Sequence, residues 1–173
     1  MCPTGMGAMK RPVGLMSPET YLKIIQEAQF YGAALRFVGW GEPTLHPQLL
    51  QFVKAAHDMG LLTHINTNGS MLDAKFVGDI CRIPLDSIKI SMQGTNKEDY
   101  EYWRGRDLFD TLLTASGRIR EIRGNRPKPF ITIGTTVAKE SVEQSKQFKL
   151  SVKEACDRVV IKRTKRLGRE AGC

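Results

Sequence analysis

The chain has 173 residues, of which 41% are hydrophobic, and it carries a formal net charge of +8 at pH 7. This length and composition suffice for one globular domain with a buried core and exclude wholesale disorder. No apolar run approaches the roughly 20 residues that a membrane-spanning helix needs, and the first residues lack the apolar segment of a signal peptide. We therefore expect a cytoplasmic protein without a membrane partner.

Helical and strand patterns alternate along most of the chain. Ser17, Pro18 and Glu19 form a helix-start signal, because serine caps a helix, proline fits its first position and an acid favours its first turn. The apolar periods predict further helices that start at about residues 47, 73, 109 and 141. They also predict strands at 34–38, 61–66, 88–92, 130–137 and 158–161.

Helices between successive strands favour right-handed βαβ units and a parallel sheet, within one domain that spans 1–173. An open doubly wound sheet and a complete or partial barrel both fit this periodicity. In either architecture, ligand-binding residues gather at the carboxyl ends of the strands. The sequence contains neither GxxxxGK[ST] nor GxGxxG, so the common nucleotide-binding fingerprints are absent.

The end of the first predicted strand carries a carboxylate among glycines. Gly39 and Gly41 would let a ligand approach bare backbone, and Glu42 could receive a cationic group through a charge-assisted hydrogen bond. Pro43 then ends the strand. The pattern predicts a site for a small amine-bearing ligand, although an ordinary strand-to-helix turn would explain it equally well.

The four cysteines, at positions 2, 81, 156 and 173, show no CxxC spacing, which argues against a self-contained zinc or redox site. Cys81 and Cys156 follow helical apolar patterns and are predicted to be core thiols. Cys2 and Cys173 stand at the two extremes of the chain.

Basic residues concentrate at 158–169 and at 118–128. Such clusters could bind phosphates or nucleic acid, but charged runs are usually solvated faces. No aromatic residues are interleaved with the terminal cluster, which argues against stacking on single strands. We do not expect a nucleic-acid partner.

Several motifs occur in order at predicted strand ends: CPTG at 2–5, GWGEPTLHP at 39–47, TNG at 67–69 and Ser91. Together they resemble the radical S-adenosylmethionine (radical SAM) enzymes, in particular the branch with a C-terminal SPASM-type iron–sulfur extension. The resemblance implies a parallel partial (β/α)6 TIM-like barrel. It also implies a [4Fe–4S] cluster held by CxxxCxxC, S-adenosylmethionine on the fourth iron, and an external electron donor.

In that family, reductive cleavage of S-adenosylmethionine yields a 5′-deoxyadenosyl radical that abstracts hydrogen from a peptide, a sugar or another small molecule. By the resemblance, Cys2 is the last cysteine of the cluster motif. Gly41, Glu42 and Pro43, after Gly39, match the end of the family's GGEP element, which implies contact with the methionine ammonium. Trp40 stands where the first glycine of that element usually lies.

Three further positions carry roles that the resemblance implies. Ser91 corresponds to a contact with the ribose or carboxylate of the cofactor, and Arg104 to a partner of that carboxylate. Gly134 corresponds to a residue that lies against the adenine.

The sequence departs from the family pattern at both ends. The first two cluster cysteines and the first barrel strand are missing, and Cys173 falls where the SPASM extension opens. We therefore expect an internal fragment that is inactive alone. The alternatives are a non-catalytic α/β relic or basic binding module, and a different barrel enzyme with a metal-free site at Glu42, His46 and His64.

Overall fold

The computed structural model describes Pro12, 14–39 and 41–164. Within these residues a five-stranded sheet is flanked by helices. Its strands are β1 (Leu35–Phe37), β2 (Thr63–Thr67), β3 (Ser87–Gln93), β4 (Phe130–Val137) and β5 (Arg158–Arg163). The helices are α1 (Pro18–Phe30), α2 (Leu49–Asp58), α3 (Ala74–Ile80), α4 (Lys97–Arg104), α5 (Phe109–Arg123) and α6 (Val142–Val152), with a short 3₁₀ helix at Pro43–Leu45.

The five predicted strands are confirmed, with bounds that differ by at most two residues at either end. Helix α4 was not predicted, because its region reads as a polar insertion. Asn96 caps its first turn by accepting a hydrogen bond from Asp99 N at 2.8 Å, and Gly105 ends it in the left-handed conformation. The buried Tyr100 anchors this helix to the core.

All strand pairs are parallel, and the strands lie side by side in chain order from β1 to β5. A doubly wound sheet reverses its strand order at a switch point, so that alternative is wrong. The order is that of a (β/α) barrel, and the described strands form an open arc in which β1 and β5 do not pair. The prediction of a parallel partial barrel is confirmed.

Side chains alternate between two different faces of the sheet. In β3, Ile88, Ile90 and Met92 are buried against the helices, whereas Lys89 and Ser91 on the opposite face are half-buried. The helix-covered face supplies the main core, and the opposite face lines the concave side of the arc. We call this second surface the concave face.

Burial confirms the two predicted core thiols. Cys81 and Cys156 are buried in the main core. Burial raises the pKa of both thiols, which disfavours their ionisation to thiolates. Among the described helices, none is long and apolar enough to cross a membrane.

An ion pair at the amino edge of the sheet joins three elements. Arg123, at the end of α5, donates to both carboxylate oxygens of Asp157 at 2.5 and 2.9 Å, and Asp157 also accepts the Ile131 N–H at 2.7 Å. Arg123 is only 8% exposed. Burial would raise the pKa of Asp157, but the hydrogen bonds from Arg123 and Ile131 outweigh it and hold that pKa below its usual range.

Replacing this carboxylate tests its contribution to folding. We expect Asp157→Asn to lower the free energy of unfolding by about 3 kcal/mol, because it leaves a buried guanidinium without its counter-charge. Since the folded pKa is depressed, this stabilisation is present at neutral pH and is lost as the pH falls below about 4. Urea unfolding followed by circular dichroism at pH 7 and pH 3 measures both effects. Asp58→Asn, which breaks only an exposed pair with Lys54, is the control and should cost less than about 1 kcal/mol.

Candidate functional site

The loops that follow β1 and β2 meet at the carboxyl edge of the sheet, and a single carboxylate joins them. Glu42 has an extended backbone and caps the 3₁₀ helix that Pro43 begins. Its Oε1 accepts hydrogen bonds from Thr44 N at 3.2 Å, from Thr44 Oγ1 at 2.6 Å and from Thr67 Oγ1 at 2.6 Å. Its Oε2 accepts the Asn68 N–H at 2.7 Å. We call this arrangement the Glu42 clamp.

The Glu42 clamp bears directly on the ammonium contact that the resemblance implies. All four donors in the described part of the chain are neutral, so none of them neutralises the negative charge of Glu42. Among the described residues, Oε1 has three donors, whereas Oε2 has one and keeps a lone pair for another. The clamp therefore fixes the carboxylate and leaves one oxygen able to receive a cation.

The glycines before the clamp lie beside open space. Around both Gly39 and Gly41, a side-chain carbon would meet no described atom within 4 Å. Together with Glu42, Pro43 and His46 they line a cavity of about 350 Å³ beside β1. This volume lies in the range of small-molecule sites. Most of the remaining lining is apolar and includes Met16, Ile24, Leu35, Phe37 and Phe52.

Ser91 and Arg104, which the sequence placed in one site, do lie together. Arg104 Nη2 donates to the Ser91 carbonyl at 3.3 Å, and Ser91 Oγ donates to Asn66 Oδ1 at 3.2 Å. Arg104 is exposed and comes from the last turn of α4, so the helix that the sequence did not predict is the one that positions it.

Gly134 lies on the concave face, opposite Ser91 in the sheet register. A side-chain carbon on Gly134 would collide with Lys89 Cε and would lie 3.0 Å from Lys89 Nζ. The space above this glycine is therefore taken by the Lys89 side chain. The adenine contact expected for Gly134 stays a prediction, and it would require Lys89 to share or vacate this space.

The two histidines of the alternative barrel site do not join Glu42 in one catalytic group. His46 Nε2 lies 3.0 Å from the Met16 carbonyl oxygen, and its Nδ1 accepts the Gln48 N–H at 3.1 Å. His64 Nδ1 lies 2.8 Å from Ser87 Oγ on the concave face. Each ring thus has a structural partner.

Sequence reasoning missed Thr67 and Asn68 as individual site residues, although it singled out the 67–69 motif. Thr67 also accepts the Gly69 N–H at 2.9 Å, so one hydroxyl links the clamp to the next turn. A polar Thr-Asn-Gly triplet after an apolar strand was the available signal. It gave no indication that the partner is a glutamate 25 residues earlier.

Cys2, Trp40 and Cys173 lie outside the described residues. Among the described residues, no group of three or more histidine, cysteine or acidic side chains could hold a metal ion. The residues present thus fit a small cationic ligand near Glu42, whereas thiolates for an iron–sulfur cluster would have to come from outside the described ranges.

Comparison with known proteins assigns this chain to one enzyme superfamily. Residues 1–148 match the family model described as the Radical SAM superfamily. The chain therefore belongs to the radical SAM superfamily, which confirms the resemblance drawn from the motifs.

Curated relatives and solved structures agree with this assignment. An AdoMet-dependent heme synthase of Methanosarcina barkeri is 26% identical over 149 residues, covering 85% of this chain and 41% of the relative. A PqqA peptide cyclase of Ruegeria pomeroyi is 28% identical over 103 residues, covering 56% and 28%. Streptococcus suis SuiB bound to its precursor peptide SuiA superposes with a TM-score of 0.74 at 18% identity, covering 95% and 36%. The chain spans about two fifths or less of the length of these proteins.

The Glu42 clamp can be tested by removing one hydroxyl. We expect Thr67→Val to lower the free energy of unfolding by about 2 kcal/mol, because it removes a charge-assisted bond and leaves the Gly69 N–H unpaired. Thr132→Val is the control, since no side-chain hydrogen bond of Thr132 occurs among the described residues. Chemical denaturation of Thr67→Val and Thr132→Val, each alone and combined with Glu42→Gln, gives the coupling free energy between that threonine and Glu42. Additive effects of Thr67→Val and Glu42→Gln would contradict the clamp.

Proposed function

We propose that this chain is the core of a SPASM-type radical SAM enzyme, which binds S-adenosylmethionine at the carboxyl edge of the sheet. The observation that carries the proposal is the Glu42 clamp, which holds a carboxylate with one available oxygen beside a glycine-lined cavity. The family assignment supports the identity of the ligand. The cofactor's ammonium is the cation that Glu42 would receive.

Each residue of the site would hold one part of the cofactor. Gly39, Gly41 and Pro43 would leave the backbone beside Glu42 open to the methionine moiety. Ser91 would contact the ribose or carboxylate. Arg104 would face the carboxylate of the cofactor, and Gly134 would face its adenine.

A [4Fe–4S] cluster, when bound, supplies the electron that cleaves S-adenosylmethionine and starts hydrogen abstraction from substrate. We propose Cys2 as one of its thiolate ligands and an external donor as its source of electrons. The residues of this chain would then act by binding and orientation. The clamp would hold the Glu42 carboxylate ready for the methionine ammonium, Arg104 would hold the methionine carboxylate, and Ser91 would contact that carboxylate or the ribose. The names of the relatives describe a heme synthase and a peptide cyclase, so small molecules and peptides are both candidate substrates.

Calorimetric titration with S-adenosylmethionine tests the binding site. With the protein expressed from its complete reading frame, we expect Glu42→Gln to weaken binding by about 1–3 kcal/mol, because one charge-assisted hydrogen bond is lost. Glu27→Gln, on the exposed face of α1, is the matched control and should bind as the wild type does. Equal affinity of the Glu42→Gln protein and the wild type would remove Glu42 from the site.

The proposed cluster ligand has an independent readout. After anaerobic reconstitution with iron and sulfide, we expect Cys2→Ala to lose the brown cluster absorbance and most of its bound iron. Cys81→Ala is the control, because Cys81 is buried in the core and should leave the iron content unchanged. Iron bound in full by the Cys2→Ala protein would show that Cys2 is not a ligand.

A further inference from the structure

The concave face has an unusual charge composition. The five strands contain no aspartate or glutamate. The sheet register places four cations on this face, because residues paired in a parallel sheet point the same way. Arg36 pairs with His64, the neighbours of Thr132 are Lys89 and Arg158, and Thr136 pairs with Lys162.

Lys89 lies at the centre of this group. The Lys89 side chain lies against Gly134, and a side chain at position 134 would collide with it. Burial, and then repulsion from Lys162, Arg36 and Arg158, lower the pKa of Lys89. The pKa of His64 is lowered as well, by burial and then by Arg36 and Lys89. Arg36, Arg158 and Lys162 are therefore each close enough to Lys89 to repel its charge.

These charges are not compensated within the part of the chain that the structure describes. None of the four cations forms a salt bridge there, although Arg123 and Lys128 each pair with an acid at the amino edge of the sheet. Lys89 is half-buried, whereas Arg36, Arg158 and Lys162 are exposed, so the free-energy cost of like charges falls mainly on Lys89. A bound anion would remove this cost and would gain charge-assisted hydrogen bonds from the two guanidinium groups.

We propose that Arg36, Lys89, Arg158 and Lys162 form a binding site for an anionic group of the substrate, a carboxylate or a phosphate. As the substrate subsite of a radical SAM enzyme, this site rests on the proposed function. Four cations with no acid favour a group, or pair of groups, that carries at least two negative charges.

The position of the site suits a substrate anchor. Lys89 precedes Ser91 by two residues on β3, so it lies about 7 Å further from the carboxyl edge than the proposed cofactor contact. An anion held by Lys89 would orient the rest of the substrate toward that edge. The four cations are therefore positioning residues and take no part in bond breaking.

Calorimetric titration with two probes, citrate and inorganic pyrophosphate, tests this site at low ionic strength, where screening is weak. We expect at least one probe to bind saturably to the protein expressed from its complete reading frame. Lys89→Met and Arg158→Met should each weaken that binding by about tenfold or more. Lys23→Met replaces an exposed lysine of α1 and removes one positive charge, as the other two substitutions do, so this variant should bind the probe as the wild type does. Preference for citrate would identify a carboxylate, and preference for pyrophosphate a phosphate.

Gly134→Ala provides a second test that keeps every charge. Its methyl group would displace the flexible end of Lys89, so we expect weaker probe binding with little loss of thermal stability. This variant and Arg158→Met keep the proposal testable if Lys89→Met does not fold. The absence of saturable binding to wild type, or equal binding by Lys89→Met and Lys23→Met, would overturn the proposal.

A parallel titration with S-adenosylmethionine separates this proposal from the proposed function. We expect Arg158→Met to bind S-adenosylmethionine as the wild type does, because Arg158 lies beside Thr132 and has no proposed cofactor contact. An equal loss of cofactor and probe affinity in Arg158→Met would assign this face to the cofactor site and overturn the substrate subsite. If wild type bound a probe through Arg158 but did not bind S-adenosylmethionine, the proposed function would fail and the anion site would stand.

Discussion

In the part of the chain that the structure describes, helices cover one face of the parallel sheet and leave the other open, and this constraint determines where the rest of the chemistry can lie. Strands that follow one another without reversal send every right-handed crossover to the same side. Ile88, Ile90 and Met92 are therefore committed to the core, while Lys89 and Ser91 face the concave side. In a closed eight-stranded barrel that side is packed with branched apolar residues. The concave face of this sheet carries polar side chains such as Lys89 and Ser91 instead, as the lining of a binding cavity would.

The Glu42 clamp shows how one carboxylate can organise the residues around it. Neutral donors from Thr44, Thr67 and Asn68 hold both oxygens in place without cancelling the charge. A cationic ligand therefore meets a group that is already oriented, and little side-chain entropy is lost on binding. Because the donors come from loops after two different strands, the same bonds keep the carboxyl edge in register.

Local patterns predicted the sheet well, because β-strand alternation and helix-start signals are written in adjacent residues. They missed α4, whose sequence is mostly polar and whose stability comes from the cap at Asn96 and the buried Tyr100. Arg104 does contact the Ser91 carbonyl, while the cofactor contacts that the motif resemblance implies for both residues stay predictions. The bond from Thr67 to Glu42 and the contact of Lys89 with Gly134 depend on neighbouring strands, so no local pattern could reveal them.

The distribution of acids argues that the basic concave face is not a by-product of composition. The chain has 18 acidic residues, and two of them, Asp86 and Asp157, pair with cations at the amino edge of the sheet. Acids are thus available and are placed where they stabilise the fold. With no acid in any of the five strands, the four concave cations have no salt-bridge partner among the residues that the structure describes. A surface that gains nothing in stability from its charges is best explained by a ligand that supplies the opposite charge.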